Sequence, residues 1–138
     1  MSGLPVFVID TNWLLDLWVF DDPRAQPVRA ALESGGWRWL ATPPMRDEFA
    51  RVLGYPAVVK RLQALARDPL TVLAEFERRV EWAAVAPRAP VRCTDPDDQG
   101  FIDLALQHGA TLLSKDKAVL ACRKRLLALG IAVQPHWP

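Results

Sequence analysis

Apolar runs and amphipathic stretches alternate along the chain. Residues 4–9 form a continuous apolar run rich in Val, which is typical of a strand buried on both faces of a parallel sheet. Shorter, mainly apolar runs predict four more strands, at residues 37–41, 84–86, 111–114 and 131–133.

The segments between these runs carry apolar residues at helical spacing. Met45 and Phe49, for example, share one face of a helix that Thr42 is placed to cap. Strands that alternate with helices predict a mostly parallel α/β sheet with helices on both faces. Residues 42–82 show only helical patterns, which predicts a helical insertion there. The remaining helices are predicted over residues 12–20, 22–32, 97–108 and 117–129.

Length and composition narrow the class of protein. A chain of 138 residues with 51% hydrophobic residues fits a single domain, spanning residues 1–138, with a packed core. The formal net charge of +1 indicates no particular partner. Cys93 and Cys122 form no zinc-binding pattern and are expected to be free thiols. Without a membrane-length apolar run or a signal-like start, a soluble cytoplasmic protein is expected.

Acidic residues follow the predicted strands and begin the predicted helices. Asp10 directly follows the first strand, and Asp116 lies two residues after Ser114 at the end of the fourth. In an open α/β sheet these carboxyl ends of strands form the ligand site. Glu48 and Asp98 lie near the starts of two helices that follow loops. The sequence therefore predicts four convergent carboxylates.

Convergent carboxylates repel each other unless cations neutralise them. Ligation by oxygen atoms alone suits Mg²⁺ or Mn²⁺, which can activate a bound water and stabilise the charge on a phosphodiester. This chemistry needs no side-chain nucleophile, and the sequence offers no good one, since its two histidines are His108 near a helix end and His136 in the tail.

Four segments resemble, in order, the motifs of PIN-domain nucleases. Residues 6–12 (VFVIDTN) resemble the opening strand and its Asp, and residues 42–53 (TPPMRDEFARVL) resemble the helix with the second acid. Residues 93–105 (CTDPDDQGFIDLA) and 112–120 (LLSKDKAVL) resemble the third and last motifs. The ordered set spans most of the chain and implies a three-layer α/β/α fold.

The resemblance is greatest to the bacterial PIN proteins that act as toxins of toxin–antitoxin pairs. It implies an endoribonuclease dependent on Mg²⁺ or Mn²⁺, a small antitoxin as partner, and a homodimer. Asp10 and Asp116 would be the principal metal ligands, completed or oriented by Glu48 and Asp98. Thr11, Asn12 and Ser114 would support them.

The third motif holds three aspartates, and their spacing does not decide which one faces the metal. Asp98 is preferred because it lies one helical turn before the apolar pair 101–102 and can begin the helix. Asp95 is the main rival and is otherwise a supporting residue, and Asp97 is the third possibility. The motif also leaves a plainer alternative, in which these acids only favour the positive end of a helix dipole.

Plainer alternatives exist for the other acids as well. Asp10 and Asp116 can serve only as helix caps. Glu48 can be a surface acid that pairs with Arg51, and Asp16 and Asp103 are expected to be solvated. The six tryptophans are expected mainly in the core. Basic residues expected either to contact RNA or to be solvated are Arg46, Arg51, Lys60, Arg61, Arg67, Lys115 and Lys117.

Two other functions compete with a nuclease. A haloacid-dehalogenase-like phosphatase also has an Asp after its first strand, but it needs a second acid two residues later, where this chain has Asn12. A non-catalytic RNA- or protein-binding module of the same fold would not need all four acids in order. The nuclease is therefore the leading hypothesis.

Overall fold

The computed structural model describes residues 3–138, in which five short strands form one parallel sheet. The strand order is β3-β2-β1-β4-β5, and every neighbouring pair is parallel. The predicted parallel sheet is confirmed, and it is parallel throughout. The strands are β1 (Val6–Ile9), β2 (Arg38–Ala41), β3 (Glu81–Trp82), β4 (Thr111–Leu113) and β5 (Val133–Gln134).

Eight α-helices in the described residues flank this sheet and confirm the three-layer α/β/α architecture. Prolines occupy the first turns of α2, α3, α4 and α5, where a missing backbone N–H costs nothing. The helices are α1 (Thr11–Trp18), α2 (Gln26–Ser34), α3 (Pro43–Val52), α4 (Pro56–Ala64), α5 (Pro69–Arg79), α6 (Gln99–His108), α7 (Lys117–Leu120) and α8 (Arg123–Ala128).

Several predicted elements differ from the structure in position or extent, including the last strand, predicted at 131–133 and found at Val133–Gln134. The third strand lies at Glu81–Trp82, not at residues 84–86, because Val80 turns the chain to an extended conformation directly after α5. The helical insertion at 42–82 therefore ends in an edge strand, where Trp82 pairs with Ala41. The helix predicted over 117–129 is two helices, α7 and α8, separated at residues 121–122.

An aromatic cluster joins the helical insertion to the sheet. Phe49 on α3 is 0% exposed and lies 5.6 Å from Phe76 of α5 and 6.1 Å from Trp18 of α1, between ring centroids. Phe76 in turn meets Trp39 of β2 edge to face at 5.3 Å. Burial of Trp13 and Trp39 confirms their predicted place in the core, whereas Trp82 is 47% exposed.

The strand order fixes where a ligand site can form. The chain leaves β1 for β2 and β3 on one side, then crosses back to β4 on the other. Such a reversal opens a crevice at the carboxyl ends of the two central strands. No helix within residues 3–138 has the length and apolar character that crossing a bilayer requires.

Phe49→Ala is expected to destabilise the protein by roughly 3–5 kcal/mol, because it removes a fully buried ring from the joint between insertion and sheet. Leu70→Ala is the matched control, since Leu70 is 72% exposed on α5 and its truncation is expected to cost less than about 0.5 kcal/mol. Urea unfolding measures both. An equal decrease in the free energy of unfolding in the two variants would show that the aromatic cluster does not hold the insertion in place.

Candidate active site

The carboxyl ends of β1 and β4 place two acidic loops side by side. The backbone N–H of Asp10 donates to the carbonyl of Leu113 at 3.1 Å. Asp10 is 3% exposed and caps α1, where its Oδ1 accepts from the backbone N–H of Trp13 at 3.3 Å. Both of its oxygens remain able to accept further partners, because a carboxylate oxygen has two lone pairs.

Ser114 links the two loops through its buried hydroxyl. Its Oγ donates to Oδ2 of Asp10 and accepts from the backbone N–H of Asp116 at 3.2 Å. Asp116 in turn caps α7, with Oδ1 accepting from the backbone N–H of Ala118 at 2.9 Å. The capping alternative therefore holds for both acids, and each carboxylate still has lone pairs for a further partner.

Asp98 lies against Asp116 and caps nothing. It ends a 3₁₀ turn at residues 96–98 and precedes α6, yet its side chain makes no capping hydrogen bond. Its Oδ2 is buried and has no donor among residues 3–138. Because its neighbour is also a carboxylate, the only hydrogen bond these two acids can form is one that shares a proton. Burial first, and then Asp116, raise the pKa of Asp98 to about 7.

The other two aspartates of the third motif have different surroundings. Asp95 starts the 3₁₀ turn, with its Oδ1 accepting from the backbone N–H of Asp97 at 3.0 Å. Asp97 lines a neighbouring cavity together with Glu48. Of the three aspartates, the geometry therefore favours Asp98 as the one that faces Asp10 and Asp116.

Glu48 enters the site from α3. Its side chain is half-buried, and burial raises its pKa, followed by the charges of Asp97, Asp10 and Asp95, while Arg51 opposes the rise. Within the described residues Glu48 forms no ion pair with Arg51. The predicted surface pairing is therefore absent, and Glu48 faces the acidic side of the crevice.

The pKa of Asp10 is also displaced upward, to about 6. Burial is the main cause and the charge of Asp116 adds to it, whereas the hydrogen bonds from Ser114 and Trp13 and the charge of Lys115 act in the opposite direction. The surroundings of Asp10 and Asp98 therefore disfavour their charged forms, which is the electrostatic condition that a divalent cation relieves.

The fit of a metal ion can be judged from these donors. In the part of the chain that the structure describes, no group of three or more His, Cys, Asp or Glu side chains is arranged to enclose a metal ion. The donor chemistry nevertheless suits a hard cation, because the groups are carboxylates and Oδ2 of Asp98 is buried without a partner. The residues present thus fit Mg²⁺ or Mn²⁺ by donor type.

The two residues after Asp10 differ in exposure. Thr11 is buried at the start of α1, whereas Asn12 is exposed there. Asn12 occupies the position where a haloacid-dehalogenase-like phosphatase would need an acid, and no other acid takes that place in the first turn of α1.

Lys115 is engaged at the edge of the site. Its Nζ forms an ion pair with Asp16 of α1 and lies 4.5 Å from the ring centroid of Trp13. The prediction that Asp16 is solvated is therefore wrong, since Asp16 ties the loop after β4 to α1. Lys117 and Arg51 are exposed, and Arg46 contacts Asp47 and Glu77 at 3.3 and 3.6 Å.

Two of the basic residues considered for RNA contact have structural roles instead. Arg61 donates to the carbonyl of Val19 at 3.3 Å, and Arg67 donates to the carbonyl of Trp18 at 2.8 Å. Arg67 also pairs with Asp21. These guanidinium groups therefore satisfy carbonyls at the end of α1.

A buried polar pair that the sequence analysis missed positions the third motif. Gln99 accepts from the backbone N–H of Cys93 at 2.7 Å and donates to the carbonyl of Val91 at 2.9 Å. Asp103, expected to be solvated, accepts from Gln99 and from the backbone N–H of Ala89 at 2.8 Å. The available signal was the spacing of four residues between Gln99 and Asp103, which places them on one face of α6.

The sequence model of the family described as PIN domain matches residues 6–118, which is most of the chain. This span contains all four acids of the candidate site. No curated protein matches the chain. The family match agrees with the parallel sheet and its flanking helices and gives the chain a nuclease-type fold.

Without metal, the protein is expected to lose thermal stability as pH rises. The pKa values of Asp98 and Asp10, about 7 and about 6, exceed the unfolded value of about 3.8, so over that interval the folded state binds more protons than the unfolded state. Stability is therefore present at low pH and is lost as pH rises through about 6 to 7.

This pH effect can be measured as Tm in EDTA between about pH 5 and pH 8. Asp98→Asn is expected to flatten much of the fall, because the amide carries no charge to bury. Asp68→Asn is the control, since Asp68 caps α5 and its charge does not contribute to the raised pKa of Asp98, and it is expected to leave the slope in place. A wild-type Tm that rises over this interval, or an unchanged slope in Asp98→Asn, would contradict a raised pKa for the Asp98 carboxyl.

Proposed function

The chain belongs to the PIN-domain family, and we propose that it is an endoribonuclease dependent on Mg²⁺ or Mn²⁺ that hydrolyses phosphodiester bonds in RNA. The observations that support the proposal are the position of Asp10 and Asp116 at the ends of the adjacent strands β1 and β4, their link through Ser114, and the unpartnered carboxyl oxygen of Asp98. Helix capping accounts for Asp10 and Asp116 but not for Asp98, which caps nothing, and like charges placed close together are destabilising.

In this proposal the crevice carboxylates hold the cation. Asp10, Asp98 and Asp116 are the ligands, and Glu48 completes or orients the set from α3. When bound, the ion would polarise the phosphodiester and lower the pKa of a water at the site. The other residues position these groups, with Ser114 fixing Asp10 and Asp116 through its two hydrogen bonds.

The RNA backbone needs positive charge at the rim of an acidic site. Arg51 and Lys117 are exposed beside Glu48 and Asp116 and can contact phosphates. Lys115 lowers the pKa of Asp10 while paired with Asp16, so it serves to offset the charge of the crevice. Arg46 is engaged with Asp47 and Glu77, which leaves Arg51 as the better RNA contact on α3.

Asp10→Asn is expected to reduce RNA cleavage by at least about a hundredfold, because a ligand matters more than the surrounding groups whose loss alone costs 10- to 100-fold. The amide keeps the cap on α1, so the fold is expected to survive. Cleavage of a labelled single-stranded RNA in Mn²⁺ measures the effect, with circular dichroism as the check on folding.

Asp68→Asn is the matched control for this substitution. Asp68 caps α5 by accepting from the backbone N–H of Leu70 at 2.9 Å, so the same chemical change is made at a helix cap outside the crevice. Wild-type cleavage by Asp68→Asn and loss in Asp10→Asn support the proposal. A folded Asp10→Asn protein that cuts RNA at the wild-type rate contradicts it.

The resemblance extends the proposal to a toxin of a toxin–antitoxin pair, with a small antitoxin and a homodimer. This part predicts that expression of the chain arrests growth, that a small protein encoded by the neighbouring reading frame restores it, and that Asp10→Asn is harmless. Arrest by Asp10→Asn equal to that of the wild type would separate the growth effect from nuclease activity.

A further inference from the structure

A small cavity adjoins the acidic crevice between α3, α6 and the segment after β3. Its volume is about 130 Å³. Met45 and Phe101 supply apolar walls, while Thr42, Glu48, Asp97 and Asp103 supply polar groups. Asp97 directly precedes Asp98 and Glu48 also lines the cavity, so the cavity adjoins the proposed site.

The size and lining of this cavity fit one flat aromatic ring. An apolar cavity of about 150 Å³ is known to hold a benzene molecule, so 130 Å³ suits a single six-membered ring and is small for the fused rings of a purine. Single-stranded RNA offers such rings, since its unstacked bases can be turned into protein pockets.

The polar groups of the cavity decide which ring is preferred. Thr42 is 4% exposed and its hydroxyl does not cap α3. This hydroxyl is therefore available for a hydrogen bond to a ligand in the cavity. Asp97 offers carboxylate oxygens, which accept hydrogen bonds, whereas Glu48 is assigned to the cation in the proposed function. The exocyclic amino group of cytosine donates to such acceptors, whereas the corresponding carbonyl of uracil would face them unfavourably.

We propose that this cavity receives one pyrimidine base of the RNA beside the cleaved bond and selects cytosine over uracil. The inference rests on the proposed nuclease function and names a specificity site for it. A pocket for one unpaired base favours single-stranded RNA as the substrate. A base in a duplex would first have to lose its pairing and stacking, which costs free energy.

Gly100 provides a way to fill the cavity without disturbing the fold. It lines the cavity near the start of α6, and a Cβ built there meets nothing within 4 Å. Gly100→Leu therefore places a side chain into open space and, since Gly is a poor helix former, is expected to maintain or raise Tm. A drop in selectivity with no drop in stability would identify a binding role.

The experiment uses single-stranded RNA in which the four nucleotides around the cleaved bond are randomised, cut by the full chain in Mn²⁺. Sequencing of the products gives the preference at each position. Gln107→Leu is the control, since Gln107 is exposed on the same helix α6 and does not line this cavity. Both variants are compared with the wild type, together with their Tm values.

We expect the wild type to prefer cytosine over uracil by about tenfold at one position, the discrimination of a modest hydrogen-bonded base contact. Gly100→Leu is expected to bring that ratio close to one, and Gln107→Leu to keep it. Equal cutting of cytosine and uracil by the wild type, or an unchanged ratio in Gly100→Leu, overturns the base pocket and leaves the nuclease intact. No cleavage of any RNA by the wild type overturns the nuclease and the pocket together.

Discussion

A carboxylate that is buried close to other carboxylates is destabilised unless a positive charge compensates it. This constraint explains the raised pKa values of Asp10 and Asp98 and the unpartnered oxygen of Asp98. Asp10 and Asp116 lie close together because they follow β1 and β4, where the strand order reverses. In the proposed function a hard cation would relieve this destabilisation, so stability without metal and activity would compete at these residues.

The acids that form the crevice also build the local structure. Asp10 and Asp116 cap α1 and α7, and the hydroxyl of Ser114 joins their loops. Helix capping therefore does not exclude the proposed metal ligation, since a carboxylate can accept a backbone hydrogen bond and still present lone pairs to a cation. Capping also fixes the side-chain torsions, which is the rigidity a binding site needs.

Local sequence pattern predicted residue positions correctly where a rule connects the pattern to topology. Asp10 and Asp116 follow apolar runs that became adjacent parallel strands, and the strand-end rule places them together. It failed where the deciding contact is distant in sequence. Glu81–Trp82 is an exposed two-residue strand held by pairing with β2, and Asp16 meets Lys115 across 99 residues. Local periodicity carries no signal for either contact.

In the proposed function, a divalent cation displaces the proton of the Asp98 carboxyl, whose pKa is about 7. Calorimetric titration of Mn²⁺ at about pH 6.5, in two buffers of different ionisation enthalpy, measures proton release on binding. Mn²⁺ is expected to bind the wild type with release of up to about one proton. In Asp98→Asn this release is expected to be lost. Absence of binding, or binding with no proton released, would contradict the proposed displacement.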